Sequence, residues 1–166
     1  MENLSSYAAV PTNYASFGRR LVAIIIDYIL IGAVQFIIIG PILGLLGIGA
    51  AANVESFQNM DETQALGMAS AMAGAGILLQ VIGLAVSGTY FILMESSERQ
   101  ATVGKLAMGI KVTDLNGQRI TRMAAFIRFI GKIVSGIILL IGYIMAAFTE
   151  KKQALHDIIA NTLVLK

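Results

Sequence analysis

The sequence predicts an all-α integral membrane protein: a small polytopic helical bundle of about three membrane helices, an interfacial amphipathic or re-entrant segment, and a minor β-hairpin. Hydrophobic residues make up 57% of the 166 residues and charged residues 13%, against about 25% charged residues in soluble domains. The mean hydropathy is +0.78. In addition, two apolar runs are each longer than the roughly 20 residues that a membrane-spanning helix needs.

The composition argues against several functional classes. With one histidine and no cysteine, the chain lacks the usual ligands of a metal centre, and no cofactor-binding loop is recognisable. The basic residues do not form a face interleaved with aromatic side chains, so no nucleic-acid partner is expected. No nucleophile stands at a recognised spacing from a base. The sequence therefore favours a membrane protein that is not an enzyme.

The first predicted span follows a polar segment, residues 1–16, which is expected to be a flexible cytoplasmic lead-in. Residues 17–40 begin with Arg19 and Arg20 and continue as an apolar run, which predicts helix one. Pro41, among several glycines, is expected to kink or end this helix. The run is about twice as long as the apolar part of a secretory signal peptide, which favours a retained span.

The distribution of charge between the loops predicts the orientation. The loop expected at 53–64 carries acidic residues without lysine or arginine, and is predicted to lie outside the cell. The segment 95–121 is rich in lysine and arginine, and is predicted to lie inside together with the N-terminus. Helix two is expected between them, at 66–94, with small residues in its first half that suit close helix contact. The chain is therefore expected to be a multi-pass protein of the plasma membrane.

The remaining segments predict a small cytoplasmic β element. An alternating pattern at 109–121 predicts a β-hairpin turned at Gly117, and the end of the tail, 150–166, reads as a strand that pairs with it. Between them, 121–149 is first basic and amphipathic and then wholly apolar. This segment either crosses the membrane once, or lies at the interface and re-enters, or forms a short hairpin, so the sequence leaves two, three or four crossings open.

Asp27 is the most unusual residue of helix one, because a carboxylate near the middle of a bilayer helix costs about 2.5–3.5 kcal/mol. Arg128 is the best candidate partner, since it also interrupts an apolar run. We therefore predict a buried polar network of five side chains: Arg20, Asp27, Gln35, Gln80 and Arg128. Within it, either Asp27 alternates between a proton and a cation, or a permanent ion pair fixes the packing of the helices.

Two further polar residues, His156 and Asp157, follow the last apolar run. A His-Asp pair can act as a base and its orienting group, but no Ser or Cys is placed with it. We expect instead that Asp157 caps the turn after it, or pairs with Lys105 or Arg20 and so ties the tail to the first helix. Lys105, His156 and Asp157 are thus predicted to be cytoplasmic structural residues.

Four motifs occur in a fixed order along almost the whole chain: FGRRLVAIIID, ERQATVGKLAMGIKVTDLNGQRIT, AAFIRF and KKQALHDIIANTLVLK. Together they resemble the RDD family of small bacterial and archaeal membrane proteins, named for one arginine and two aspartates. The resemblance implies that Arg20, Asp27 and Asp157 are the name-giving residues. It implies little about activity, although transport, including sodium/proton antiport, is attributed to some members.

Two functions are compatible with these features. In the first, the protein transports ions or small solutes, with a monovalent cation or a proton as the candidate solute. Because the chain is small for a self-sufficient transporter, this function implies a homo-oligomer around a shared path. In the second, the protein is a non-catalytic scaffold or accessory subunit of a larger membrane complex. Both functions have the lipid bilayer as a partner.

Overall fold

A computed structural model describes residues 13–45, 60–138 and 141–166 of the chain. Its elements, in chain order, are α1 (Phe17–Leu45), α2 (Glu62–Glu95), α3 (Val103–Ala107), β1 (Lys111–Asp114), α4 (Arg122–Ile137), α5 (Ile141–Ile144), a 3₁₀ helix (Met145–Ala147), α6 (Leu155–Ile159) and β2 (Thr162–Leu165). The predicted class, a helical membrane protein with a minor β element, is confirmed.

The helices α1 and α2 are each long and apolar enough to cross a membrane. Within their spans, Phe17–Gly44 and Glu62–Glu95, 18-residue windows reach mean hydropathies of 2.5 and 2.0. Most of the large apolar side chains of these helices are exposed, as in helices that face lipid. α1 does not end near Gly40 as predicted but continues through Pro41. The helix can continue because a proline removes only one of its hydrogen bonds. In a bilayer the other backbone groups need partners within the protein, which favours continuing the helix.

The second helix starts earlier than its apolar residues indicate. It begins at Glu62 rather than near Leu66, so the end of the predicted outer loop at 53–64 is helical. The side chain of Asp61 accepts a hydrogen bond from the backbone N–H of Gln64 at 2.7 Å, which caps the first turn. Most of the predicted loop lies outside the described residues.

The helix α4 is amphipathic, as predicted for the first part of 121–149. Its buried residues recur at spacings of three and four and form one face: Ala125, Arg128, Gly131, Lys132 and Ser135. Among the described residues, neither α4 nor the segment 141–147 is by itself a candidate span. Together they have the length and hydropathy of a span, but the two are sharply bent relative to each other. The described chain thus has two candidate spans, or three if this pair is one broken span.

The strands β1 and β2 form a two-stranded antiparallel sheet, with Lys111 opposite Leu165. The predicted pairing of the tail with the 109–121 region is therefore confirmed. Gly117 has the positive φ expected of the turn, 80°, but residues 118–121 do not form the second arm of a hairpin. The other edge of β1 is already occupied, because the Val112 N–H donates to the Gln100 carbonyl at 2.7 Å.

The chain just before α1 extends this sheet. Tyr14 forms an antiparallel bridge with Leu165, and the Ala15 N–H donates to the Val164 carbonyl at 2.8 Å. The prediction of a flexible lead-in over 1–16 is therefore wrong for its last residues, because they satisfy the open edge of β2. Residues 1–12 lie outside the described part.

Contacts divide the described chain into two units, one made of 13–28 and 88–166 and the other of 29–87. The first unit contains the sheet, the short helices and the start of α1. In the second unit, Gln35 Nε2 donates to the Gly83 carbonyl at 3.0 Å and to the Ser87 hydroxyl at 3.3 Å. Gln80, also in the second unit, is exposed on α2.

Candidate functional site

Glu95, the last residue of α2, is fully buried and binds three cationic side chains. Its Oε1 accepts from the Nζ atoms of Lys105 at 2.5 Å and Lys132 at 2.7 Å. Its Oε2 accepts from Nε of Arg128 at 2.8 Å. These partners offset the large cost of removing a carboxylate from water. Glu95 thereby joins the end of α2 to α3 and α4.

Arg128 connects Glu95 to a second buried carboxylate, Asp157 of α6. Its side chain is 1% exposed, and its Nη1 donates to Asp157 Oδ1 at 2.5 Å and also to the Thr162 hydroxyl. Arg20 Nη1 donates to the other oxygen of Asp157. The predicted contact between Arg20 and Asp157 is therefore confirmed, and it ties the tail to the first helix. Lys105, the other predicted partner of Asp157, binds Glu95 instead.

The short helix α6 places Asp157 in this cluster. Asp157 Oδ2 accepts a hydrogen bond from the Ala154 N–H at 3.0 Å, so the side chain caps the start of α6 rather than the turn after it. Burial alone would raise the pKa of this carboxyl, but the Arg128 guanidinium, assisted by Arg20, holds the pKa well below its usual range.

His156 is buried beside Asp157, with its Nε2 3.5 Å from Asp157 Oδ1. Burial lowers the pKa of His156 to about 3, so the imidazole is neutral at pH 7. The helices α4 and α6 meet here at Gly131, where an added Cβ would lie 2.8 Å from the Cβ of His156. The structural role that the sequence predicts for His156 stays a prediction.

Asp27 has partners other than the predicted one. Its Oδ1 accepts from the Tyr90 hydroxyl and from the Gly104 N–H, each at 2.7 Å, and its Oδ2 accepts from the Thr102 hydroxyl at 2.6 Å. Arg128 instead binds Glu95 and Asp157, so the predicted Asp27–Arg128 pair is wrong. The physical reason is that three neutral donors at the start of α3 and on α2 satisfy the Asp27 carboxylate.

The close approach of α3 to α1 depends on the glycine at position 104. An added Cβ there would overlap the carbonyl oxygen of Ala23 and would lie 3.0 Å from Cγ of Asp27. Tyr90 supports the same contact, because its hydroxyl donates to Asp27 and accepts from the Val103 N–H at 2.9 Å. Asp27 therefore anchors α3, and α3 in turn carries Lys105 to Glu95.

A cavity of about 280 Å³ lies beside this cluster, within the first unit. Four cationic side chains contribute to its wall: Arg20, Lys105, Arg128 and Lys132. Asp27 also lines the cavity, whereas Glu95 and Asp157 do not. Apolar side chains of α1, among them Leu21 and Ile24, form another part of the wall. The accessible surface of the cavity is nevertheless almost wholly apolar, so the charged residues contact it mainly through their carbon atoms.

One cation in this wall has unused hydrogen-bonding capacity. Nε and Nη2 of Arg20 are buried, and no acceptor among the described residues lies within hydrogen-bonding distance of either atom. Buried donors are nearly always satisfied by protein, water or a ligand, and leaving one unpaired costs about 1–3 kcal/mol. Neither atom has appreciable solvent-accessible surface, so a molecule in the cavity would not contact them in this conformation.

Three of the five residues in the predicted polar network, Arg20, Asp27 and Arg128, line this cavity. Glu95 and Lys132 were missed in that prediction. A signal for both exists in the sequence: Arg128 and Lys132 are four residues apart on one helix face, and two neighbouring buried cations require a carboxylate. Glu95 is the first charged residue after the apolar run of α2.

Comparison with known proteins places the chain in a family. The model of the RDD family matches residues 14–161. The chain is similar to the "Uncharacterized protein YxaI" of Bacillus subtilis (strain 168), with 35% identity over 91% of this chain and 96% of the relative. It is also similar to the "Uncharacterized membrane protein YteJ" of the same organism, with 27% identity over 92% of this chain and 80% of the relative. No solved structure matches it significantly. The chain belongs to the RDD family.

Proposed function

We propose that this RDD family protein is a non-enzymatic transporter that moves small solutes or ions across the plasma membrane. The observation that carries the proposal is the cavity beside the buried charge cluster, with Arg20, Asp27 and Arg128 in its wall. Ion pairs that only fix helix packing need no space beside them. A cavity with a mostly apolar wall and a few charged residues beside it is instead typical of ligand sites.

The orientation that the loop charges predict would make the cavity accessible from the cytoplasm. Arg19 and Arg20 stand at the start of α1, and the chain between α2 and α4 contains four lysine and arginine residues: Arg99, Lys105, Lys111 and Arg119. Positive charges beside spans favour the cytoplasmic side. Both the N-terminus and the cavity are then on that side.

The proposal includes a homo-oligomer. The two or three candidate spans among the described residues cannot by themselves enclose a path across the bilayer. Several copies arranged around a common axis would enclose one. Each copy would then contribute its own cavity at the cytoplasmic end of the path.

Transport can be tested with the full-length chain in liposomes. The assay would follow sodium, proton, chloride and phosphate fluxes against protein-free vesicles. Ile24→Trp places a larger side chain in the cavity wall and should reduce flux about tenfold or more, because the solute site is filled. Ile25→Trp is the matched control, since Ile25 is 49% exposed and lies outside the cavity lining.

The outcomes separate the kinds of transport. A sodium-driven change of the internal pH would identify cation/proton antiport. Flux of a single solute without such coupling would identify another transport mode. Absence of flux for every solute in the panel, or equal flux in Ile24→Trp and Ile25→Trp, would reject the proposal.

A second candidate function, a scaffold or accessory subunit, is favoured by the hydrogen bonding of Asp27. Both of its oxygens are satisfied by neutral donors of the same chain, which is the arrangement expected of a fixed structural contact. In that case the protein would show no flux, and it would purify from its native membrane in a fixed ratio with a different subunit. A homo-oligomer with flux would exclude this function.

A further inference from the structure

We infer that the cavity binds a hydrocarbon chain of a membrane phospholipid, which enters it from the bilayer beside α1. This inference rests on the proposed function only in treating the cavity as a ligand site, and it names the chemistry of one ligand. A lipid chain and a transported solute would occupy the cavity alternately.

The first support is the chemistry of the cavity wall. The ammonium groups of Lys105 and Lys132 bind Glu95, and the guanidinium of Arg128 binds Glu95 and Asp157. Neither carboxylate lines the cavity, so these cations contribute mainly their carbon stems to its wall. A water molecule inside a protein needs several polar partners, and this wall offers few of them. The wall therefore suits an apolar occupant better than water.

The second support is the place where the cavity reaches the surface. The cavity is not enclosed, and three large side chains of its wall are also about half exposed: Leu21 (46%), Tyr28 (54%) and Ile144 (45%). Leu21 and Tyr28 lie two helical turns apart on one face of α1, within its candidate span. In a membrane, such a face is in contact with lipid chains. The bilayer itself thus brings hydrocarbon to the opening.

The third support is the size of the cavity. In another protein, an engineered apolar cavity of about 150 Å³ binds benzene. The cavity of about 280 Å³ therefore has room for several methylene groups of a lipid chain. A chain that leaves the bilayer for this cavity exchanges one apolar environment for another. The gain comes from van der Waals contacts with the wall, which an empty cavity leaves unmade.

The test is photo-crosslinking in nanodiscs made of phosphatidylcholine that carries a diazirine along one acyl chain. Labelled residues of the whole chain would be identified by mass spectrometry of its peptides. Lipid that only surrounds the protein labels exposed positions of α1, such as Ile25 (49% exposed) and Ile29 (69% exposed). A lipid chain inside the cavity also labels wall residues that are at most 2% exposed, namely Ala146, Ala154 and Val164.

Variants that fill the cavity show where the label comes from. Ile24→Trp should lose the label at Ala154 and Val164 and keep the label at Ile29, because the larger side chain takes the place of the lipid chain. Ile25→Trp is the matched control and should keep both labels, since Ile25 does not line the cavity.

A second filling variant keeps the inference testable if Ile24→Trp does not fold. Ala146→Leu enlarges a different part of the wall, in the 3₁₀ helix, and should lose the label at Ala154 and Val164 in the same way. Melting curves of each variant would show that it is folded.

Label at Ala154 and Val164 in the unaltered protein, lost in a folded filling variant, would support the lipid site. Label confined to exposed positions would overturn it, as would equal label at the buried positions in the unaltered and filled proteins. Absence of label at Leu21 and Tyr28 as well would overturn it and would indicate that a second copy of the chain covers the opening.

These measurements do not depend on flux, so the two proposals can fail separately. A protein that takes a lipid chain into the cavity but transports no solute would keep the lipid site and reject the transport proposal. A flux that Ile24→Trp reduces, without label at the buried positions, would keep the transport proposal and reject the lipid site.

Discussion

The carboxylate of Asp27 accepts a hydrogen bond from the backbone N–H of Gly104 at 2.7 Å, joining the first membrane helix to the short helix α3. Because the donor is a backbone group, this contact requires the two main chains to come close together. The absence of a side chain at position 104 permits the approach. The position of α3 determines where Lys105 meets Glu95, so this contact supports the whole charge cluster.

Gly104→Ala should disrupt this contact. The new Cβ would overlap the Ala23 carbonyl oxygen, which belongs to the backbone of a long helix and cannot rotate away. Overpacking of this kind costs about 1–3 kcal/mol or more, so we expect a clearly lower melting temperature in detergent. Gly18→Ala is the control, because an added Cβ there has no neighbour within 4 Å. Equal melting temperatures for the two variants would show that α3 does not pack tightly on α1.

Asp27→Asn tests whether the carboxylate has a structural or a transport role. Asn has an NH2 donor in place of one carboxylate oxygen, so at least one of the three donors to Asp27 must turn or lose its acceptor, at a cost of about 1–3 kcal/mol. We expect lower thermal stability and unchanged flux per folded molecule. Tyr90→Phe should act in the same direction, since it removes one donor to Asp27. Loss of flux at an unchanged melting temperature would instead identify Asp27 as a group that titrates during transport.

Glu95→Gln should be among the most destabilising single changes in the chain. It removes the negative charge that three buried cations share, and breaking a buried ion pair in this way costs about 3–5 kcal/mol. The control is Glu98→Gln, because Glu98 is an exposed residue three positions further on. Thermal unfolding in detergent would measure both variants.

A double variant checks the origin of this loss. In the Glu95→Gln background, Lys132→Met removes one of the uncompensated cations and should restore part of the stability. The single variant Lys132→Met is measured as well. If the stability loss of the double variant equals the sum of the losses of the two single variants, Lys132 and Glu95 do not interact.

The stability of the C-terminal segment should fall when the pH is lowered from about 6.5 toward 4. Burial lowers the pKa of His156 from 6.5 to about 3, so between these values the unfolded state binds a proton that the folded state does not. The lowered pKa of Asp157 adds a further loss only below about 3.8, its ordinary value. His156 is the single histidine of the chain, which makes the assignment direct.

The pH effect can be measured as protease resistance of the C-terminal segment at pH 7 and pH 5. His156→Gln has no group that titrates in this interval and should show a smaller difference between the two conditions. An equal difference in His156→Gln and the unaltered protein would exclude His156 as its source.

The pattern of the sequence was sufficient to identify several polar residues that are buried in the structure. Asp27, Arg128 and Asp157 stand within or beside apolar segments, and a charge in such a place is costly enough to require partners. The contact of Arg20 with Asp157 and the pairing of the tail with the 109–121 region were both predicted. Other partners were not predicted, because Glu95 lies at the edge of its apolar run and resembles an ordinary solvated end of a span.

The sequence by itself determined the two long apolar helices, the amphipathic character of α4 and the presence of buried charge, because these follow from local hydropathy, period and solvation cost. Only the tertiary structure decided which carboxylate each cation binds. Electrostatic attraction between side chains depends on distance in space and not along the chain, and Arg128 reaches Glu95 across 33 residues and Asp157 across 29. Because α3 docks on α1 at Gly104, neutral donors satisfy Asp27. Arg128 binds the other two carboxylates, Glu95 and Asp157.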